Sequence, residues 1–394
     1  MTTLKAVTTK IGSGATPRGG ASVYVDEGAA FIRSQNVLDL CFSNEGLVRI
    51  GEDAAEGLRN VAVEPGDVLV NITGDSVARV ALWTRSEPAR VSQHVAIVRC
   101  DPAQADARYM QYWLHAPGQK AQLLTLAAAG ASRPALTKGM LEAFPFGPHP
   151  LAEQKAIAEV LGALDDKIAA NRHAVQAGRE LLLAQWSRLV SDAEETRKWS
   201  TFVETNPKVP NVKDETAPYL DMKNLPENGL LVEEWGERPP QGGARFQNGD
   251  TLFARITPCF ENGKHAYVDF LGDGEVGYGS TEYIVFRACE GASAAIPFVI
   301  SATADFRSFA AQHRTGTSGR QRVQAPDLAS YEAAWPGDLR AAEFGAFAEP
   351  LIARLGAARD ENRVLAKTRD ELLPLLMSGK ITVRDAEKRV EGVV

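Results

Sequence analysis

The chain has 394 residues, enough for two or three domains with cores of their own. Its hydrophobic and charged fractions, 44% and 24%, are those of an ordinary soluble protein, and no apolar run reaches membrane-spanning length. With 43 Lys and Arg against 50 Asp and Glu, the net charge of −7 excludes a protein that coats nucleic acid by bulk attraction, while leaving room for a local basic face.

The first ten residues carry no apolar core of the kind a signal peptide needs. Cys41, Cys100, Cys259 and Cys289 stand alone, with no CxxC pair and no cysteine-histidine spacing suited to zinc, so a reducing cytoplasm and no bound metal are expected. The six histidines are scattered and read as ordinary surface or core residues.

Residues 4–143 are dominated by short β-like runs at 30–32, 67–72, 77–84 and 94–99, punctuated by glycine and followed by helix-like residues 109–126. Residues 150–190 then read as one long helix. Ile157, Leu161, Leu164, Ile168, Val175, Leu182 and Leu189 recur at steps of three and four, the spacing of a coiled-coil seam. Leu151-Ala152-Glu153-Gln154, behind Pro148 and Pro150, suits a helix start.

After a polar stretch the pattern begins again. Gly66-Asp67-Val68-Leu69 resembles Gly249-Asp250-Thr251-Leu252, residues 92–99 match 280–287 in length and pattern, and Gly130-Ala131-Ser132-Arg133 matches Gly316-Thr317-Ser318-Gly319-Arg320. A second long helix is expected over residues 344–377, with Phe347, Leu351, Ala358, Leu365, Leu372 and Leu376 as its stripe. Asn171 and Asn362 both fall on the seams, where a matched polar pair would fix register between the helices. The competing reading puts both at the solvent edge of their stripes. A repeat period near 190 means duplication of a whole unit of one mixed domain and one helix.

The expected fold class is therefore α+β: two mixed α/β domains separated by two long antiparallel coiled-coil helices, a tandem repeat with pseudo-twofold symmetry. The boundaries expected are 1–149 and 193–339 for the domains, 150–192 for the central helix and 340–394 for the C-terminal helix and tail. A helix of about 38 residues spans roughly 57 Å. Two unlike heads on such a spacer suit a split, asymmetric DNA target, because groove faces recur about every 34 Å along a duplex.

At this point the chain resembles a known family, the specificity subunits of type I restriction-modification systems. The residues that carry the resemblance are Pro150-Leu151-Ala152-Glu153-Gln154-Lys155-Ala156-Ile157, Leu164-Asp165-Asp166-Lys167-Ile168 with Asn171, and, near the C-terminus, Asn362, Leu365, Arg369-Asp370 and Leu372-Leu373-Pro374-Leu375-Leu376-Met377-Ser378-Gly379-Lys380-Ile381. In the first domain they are Gly12-Ser13-Gly14-Ala15-Thr16-Pro17, Phe31-Ile32-Arg33-Ser34-Gln35-Asn36 and Gly66-Asp67-Val68-Leu69. The second domain departs from the pattern in lacking a Gly-x-Thr-Pro entrance, and the C-terminal helix lacks the proline-led Glu-Gln start. The resemblance implies two target recognition domains, a role in phage defence and no catalysis in this chain. It also implies two adenine-N6 methyltransferase subunits that bind S-adenosylmethionine, and two translocase/endonuclease subunits that use ATP and Mg. In agreement, Asn206-Pro207-Lys208-Val209 fails the Asn-Pro-Pro-aromatic methyltransferase signature, and the Gly12 to Gly20 run lacks the Gly-Lys-Ser/Thr of a phosphate loop. Asp165-Asp166 reads as a solvated or partner-facing edge.

Base reading needs paired donors and acceptors on loops that reach a groove. The candidates in the first domain are Thr16, Arg18, Arg33, Ser34, Gln35, Asn36, Asn71, Thr73, Ser92, Gln93, His94, Ser132 and Arg133. Those in the second are Lys223, Asn224, Arg255, Thr257, Ser280, Thr281, Ser318, Arg320, Gln321 and Arg322. Plainer readings compete: Thr16-Pro17 shapes a turn, Ser92 and Ser280 start strands, and Asn71 satisfies its own backbone. Arg133, Arg320 and Arg322 stand out because no acid occurs between residues 107 and 141 or between 306 and 324. Two rival functions remain at this level, a self-contained DNA methyltransferase or nuclease and an adaptor that binds only proteins.

Overall fold

A computed structural model describes residues 2–129, 133–147, 149–210, 215–317 and 319–392, in two compact units. The first unit combines residues 1–166 with 364–394; the second is residues 167–363. The division cuts both long helices, so each unit owns part of each.

The first unit is built on strands β1 (Thr8–Ser13), β2 (Tyr24–Val25), β3 (Ala29–Ile32), β4 (Val48–Ile50), β5 (Ala62–Val63), β6 (Asp67–Asn71), β7 (Val80–Leu82), β8 (Ala89–Val91) and β9 (Val95–Cys100). An antiparallel sheet has the order β1-β9-β6-β7, and a second, mixed sheet the order β2-β4-β3-β8-β5 with β3 and β8 parallel. Val68, Leu69, Val70, Ile97 and Val98 are fully buried, the continuous apolar run of strands covered on both faces. The 77–84 run shortens to β7 because Ala78 takes φ +63 in the turn that precedes it. Strand β8 is only three residues long and follows Pro88, which hides it from any pattern of alternation.

The single helix-like stretch at 109–126 is two helices, α1 (Ala107–His115) and α2 (Pro117–Ala128). Asp106 caps α1 by accepting the Tyr109 N–H at 2.9 Å, and Pro117 ends it because Ala116 must leave the helical region, at ψ 140. Helix α1, buried on all sides over residues 109–114, packs against β6 and β7.

The second unit repeats the plan with β10 (Val203–Thr205), β11 (Ala217–Leu220), β12 (Gly236–Arg238), β13 (Ala244–Phe246), β14 (Thr251–Ala254), β15 (His265–Tyr267), β16 (Gly277–Gly279) and β17 (Tyr283–Ala288). Its sheets run β10-β17-β14-β15 and β12-β11-β16-β13, with β11 and β16 parallel. These are the orders of the first unit without the outermost β2. Helices α4 (Ala295–Ala302) and α5 (Ala304–Gln312) take the places of α1 and α2. The duplication extends to a buried charge. Asp67 and Asp250, both fully buried, each receive a bidentate arginine, Arg99 at 2.7 and 2.8 Å and Arg287 at 2.7 and 2.6 Å. Each also accepts the backbone N–H three residues earlier, from Glu64 and Gln247.

The long helices are α3 (Leu151–Val190) and α6 (Asp338–Met377), 40 residues each. Within the second unit Asn171 meets Asn362, Gly178 faces Leu355 and the Trp186 ring lies 5.1 Å from Phe344. Numbers rise on one helix as they fall on the other, so the pair is antiparallel. A Cβ at Gly178 would come within 2.4 Å of Leu355 Cδ1, which is why that position is glycine. Ile157, Leu161, Leu164, Ile168 and Leu182 are buried as the seam requires. On α6 Leu365, Leu372 and Leu376 are buried as expected, and the phase differs from the expected stripe only in the first half of the helix. Phe347 is 39% exposed, and Phe344, Ala348, Ile352 and Leu355 face the core instead, because the apolar residues are dense enough there to support either face.

Asp166 stays exposed, as the sequence reading has it, whereas Asp165 is largely covered. Within the first unit Asp165 accepts from Arg369 at 2.6 Å and from the Tyr112 hydroxyl at 2.5 Å, and Asp166 accepts from Arg108 at 2.5 and 3.0 Å. Adjacent carboxylates point apart on a helix, and here one takes α6 and the other α1. Residues beyond α6 form a further helix, α7 (Val383–Glu391), opened by a capping box between Thr382 and Asp385. No helix among the described residues is long and apolar enough to cross a membrane.

Candidate nucleic-acid interface

In the first unit four expected contact residues from three segments form one hydrogen-bonded run. The Thr16 hydroxyl donates to Gln93 Oε1, the Gln93 amide lies 3.1 Å from His94 Nε2, and His94 Nδ1 lies 2.6 Å from Thr73 Oγ1. Thr16, Gln93 and His94 are exposed. Gly14 brings Thr16 here: its N–H donates to Val95 O at 3.0 Å, and a Cβ on it would sit 1.8 Å from Val91 O.

The frame under this run recurs in the second unit. The Val95 N–H donates to Ser92 O at 3.0 Å and the Tyr283 N–H to Ser280 O at 3.2 Å. Ile72 donates to His94 O and Arg255 to Glu282 O, both at 2.9 Å. Leu136 donates to Ile72 O at 2.8 Å and Val323 to Arg255 O at 2.9 Å; Gly74 donates to Pro134 O at 3.1 Å and Thr257 to Gln321 O at 3.0 Å. By these bonds Gln93-His94 corresponds to Thr281-Glu282, Ala135 to Arg322, and Arg133 to Arg320.

The acid-free windows do not remain acid-free in space. Arg108 binds Asp166, Lys120 lies 2.7 Å from Asp39, and Lys138 faces Glu142 at 3.6 Å. In the second window Arg314 binds Glu261 at 2.6 Å and Arg307 turns inward to the carbonyls of Phe260 and Gly263. Arg322 lies fork to fork on Glu282, at 2.7 to 3.0 Å, and that bond holds the Glu282 carboxyl below the usual carboxylate range. Among the described residues Arg133 and Arg320 are the window cations left exposed and without an acidic partner, and they occupy one equivalent position.

The other candidates fall elsewhere. Asn36 is fully buried; its amide donates to the carbonyls of Ser43 and Glu45 at 3.1 and 3.0 Å and its oxygen accepts the Arg33 N–H at 3.0 Å. Arg33 and Gln35 both donate to Gly46 O, at 2.5 and 3.4 Å. Asn71 is also fully buried, and donates to the carbonyls of Ser34 and Val37 at 2.8 and 3.1 Å. Ser92 is 3% exposed with its hydroxyl unpartnered. These residues brace the loops under the exposed run. Arg18 is exposed near Thr16, whereas Lys223 and Asn224 lie on a separate turn, Met222–Asn224, whose carbonyls of Met222 and Lys223 accept from Lys264. In the second unit Arg255 Nε and Thr257 Oγ1 are buried without partners, Ser280 Oγ accepts the Glu282 N–H at 3.1 Å, and Thr281 is exposed. Ser132 and Ser318 lie outside the described residues. Glu282 escaped the sequence reading, which sought cations and amides; the equal length of 92–99 and 280–287 aligned it with His94 all along. No group of three or more metal-binding side chains occurs among the described residues.

No family model matches the chain. It is similar to the type I restriction enzyme EcoAI specificity subunit of Escherichia coli, at 34% identity over 99 residues that make up 23% of this chain and 16% of that one. It is also similar to the type I restriction enzyme EcoEI specificity subunit of Escherichia coli, at 24% identity over 206 residues, 50% of this chain and 34% of that one. The chain thus covers about a third or less of the length of the curated relatives it matches. Its fold is that of the type I restriction-modification system S subunit from M. genitalium, with a TM-score of 0.56 and 13% identity over 95% of both chains.

Proposed function

We infer that this chain, a member of the specificity-subunit family of type I restriction enzymes, reads a two-part asymmetric sequence in double-stranded DNA through its two domains. The observation that carries the reading is the duplicated frame. In each unit it sets one uncommitted arginine, Arg133 or Arg320, beside a cluster of exposed or part-exposed polar side chains, and the two clusters differ in chemistry. An arginine without a local carboxylate serves phosphate; hydrogen-bonding side chains next to it serve base edges. Since Gln93-His94 and Thr281-Glu282 occupy the same place, the two halves of the target differ in sequence.

On this reading the chain has no catalysis of its own. It works in the cytoplasm as the scaffold for two adenine-N6 methyltransferase subunits, which hold S-adenosylmethionine, and two translocase/endonuclease subunits, which use ATP and Mg. The long helices are the surfaces on which those partners assemble. The test is a gel shift and methylation assay with the purified chain, alone and with a cognate methyltransferase subunit. Binding of specific duplexes, with methyl transfer only when the partner is added, is expected. Methylation by the chain alone, or failure of both mixtures to select any duplex, sinks the reading.

A further inference from the structure

Arg322 and Glu282 stand where the first unit has Ala135 and His94, so the second frame carries a charged pair that the first lacks. The pair is poorly suited to phosphate. Glu282 cancels the charge of Arg322, and a carboxylate repels the backbone of a duplex. A cation for that backbone stands beside it in Arg320, which is exposed. Nor is the pair a buried staple. Its side chains are 42% and 22% exposed, so water competes for both groups and each can exchange the other for a new partner. What the pair offers is a planar fork of donors next to a carboxylate acceptor. Arginine's fork matches O6 and N7 of guanine, and a carboxylate accepts from N4 of cytosine, the two edges that one base pair presents side by side in the major groove.

Resting on the DNA-reading function above, we propose that Arg322 and Glu282 together read one guanine–cytosine base pair in the half-site of the second unit. The first unit has no counterpart, and its Gln93, an amide with a donor and an acceptor, suits adenine instead.

The test exposes the full chain to a pool of randomised duplex DNA and sequences what is retained. The wild-type chain should enrich a two-part sequence with a fixed G·C pair in one part. Arg322→Ala combined with Glu282→Ala should cut the preference at that one pair, about 10- to 100-fold in the wild type, to near parity, with the other part unchanged. Arg322→Lys, which keeps the charge and loses the fork, should do the same, and decides the matter by the same criterion should the double variant fail to fold. A retained G·C preference, or an equal loss of affinity for every sequence, overturns the proposal. Enrichment of nothing by the wild type overturns the DNA-reading function itself.

Discussion

Asn171 of α3 donates its side-chain amide to Oδ1 of Asn362 of α6 at 2.9 Å, in a seam whose other buried contacts include Ile168, Leu182 and Leu355. The same amide reaches Glu361 Oε2 at 2.6 Å and Ala358 O at 3.3 Å, and Asn171 is only 8% exposed. A polar pair in such a seam lowers stability and penalises every register that would leave either amide facing leucine.

Asn171→Ala should therefore lower the stability of the chain by about 1–3 kcal/mol, since Asn362 keeps a half-buried amide with its partner gone. Asn171→Leu with Asn362→Leu should recover that loss. It should also admit alternative pairings, seen as oligomers by light scattering. A double variant that is stable and strictly monomeric would deny the pair its role in register.

The two buried aspartates make the duplication measurable as energy. Asp67→Asn and Asp250→Asn each take a charged partner from a part-exposed arginine and disturb a fully buried carboxylate site, so each should destabilise by about 1–3 kcal/mol in denaturant melts. The paired changes Asp67→Asn with Arg99→Met, and Asp250→Asn with Arg287→Met, should recover part of that loss, because they remove both charges together and keep an acceptor for the Glu64 and Gln247 N–H groups. A small effect for one aspartate alone would show that the two pairs do not do the same work.

Acid should weaken the second unit through His265. Burial, with Arg307 beside it, pushes its imidazole down to about 3, and the ring stacks 4.8 Å from Phe298. In the unfolded chain a histidine takes up its proton near pH 6.5. The unfolded state thus binds more protons between those values, and the His265 contribution, complete above pH 6.5, falls as pH drops towards 3. The slope is at most about 1.4 kcal/mol per pH unit for this one group. Melting temperature against pH should be flatter over this range in His265→Phe than in the wild type.

Arg133→Ala and Arg320→Ala test the equivalence of the two frames. Each should weaken binding of a selected duplex without changing the preferred sequence, and each should reduce the slope of log affinity against log salt by about 1. Arg314→Ala, which frees Glu261 instead of removing an uncommitted cation, should leave the salt slope nearly as it was.

Much of the architecture was legible in the residues. Strand cores such as 68–70 and 95–98 are continuous apolar runs, and the seam from Ile157 to Ile168 repeats at helical spacing, because burial selects residue type directly. The asparagine pair was legible for the same reason: polar residues stand out against an apolar stripe. The phase of the first half of α6 was not, since Phe344, Phe347, Ala348, Leu351 and Ile352 fill both candidate faces and only contact with the second unit's core chooses between them. Short strands such as β8 were hidden because three residues carry no period.

The candidate interface divides along the same line. Sequence by itself determined that the chain is a duplicated α+β unit with polar loops and two windows free of acid, because composition and repetition are properties of order along the chain. Tertiary structure decided which of those groups remain available. Glu282 comes to Arg322 from 40 residues away and Asp166 to Arg108 from 58, while Asn36 and Asn71 are spent on carbonyls of their own unit. Charge pairing and hydrogen-bond satisfaction depend on distance in space, and folding sets that distance without regard to separation in sequence.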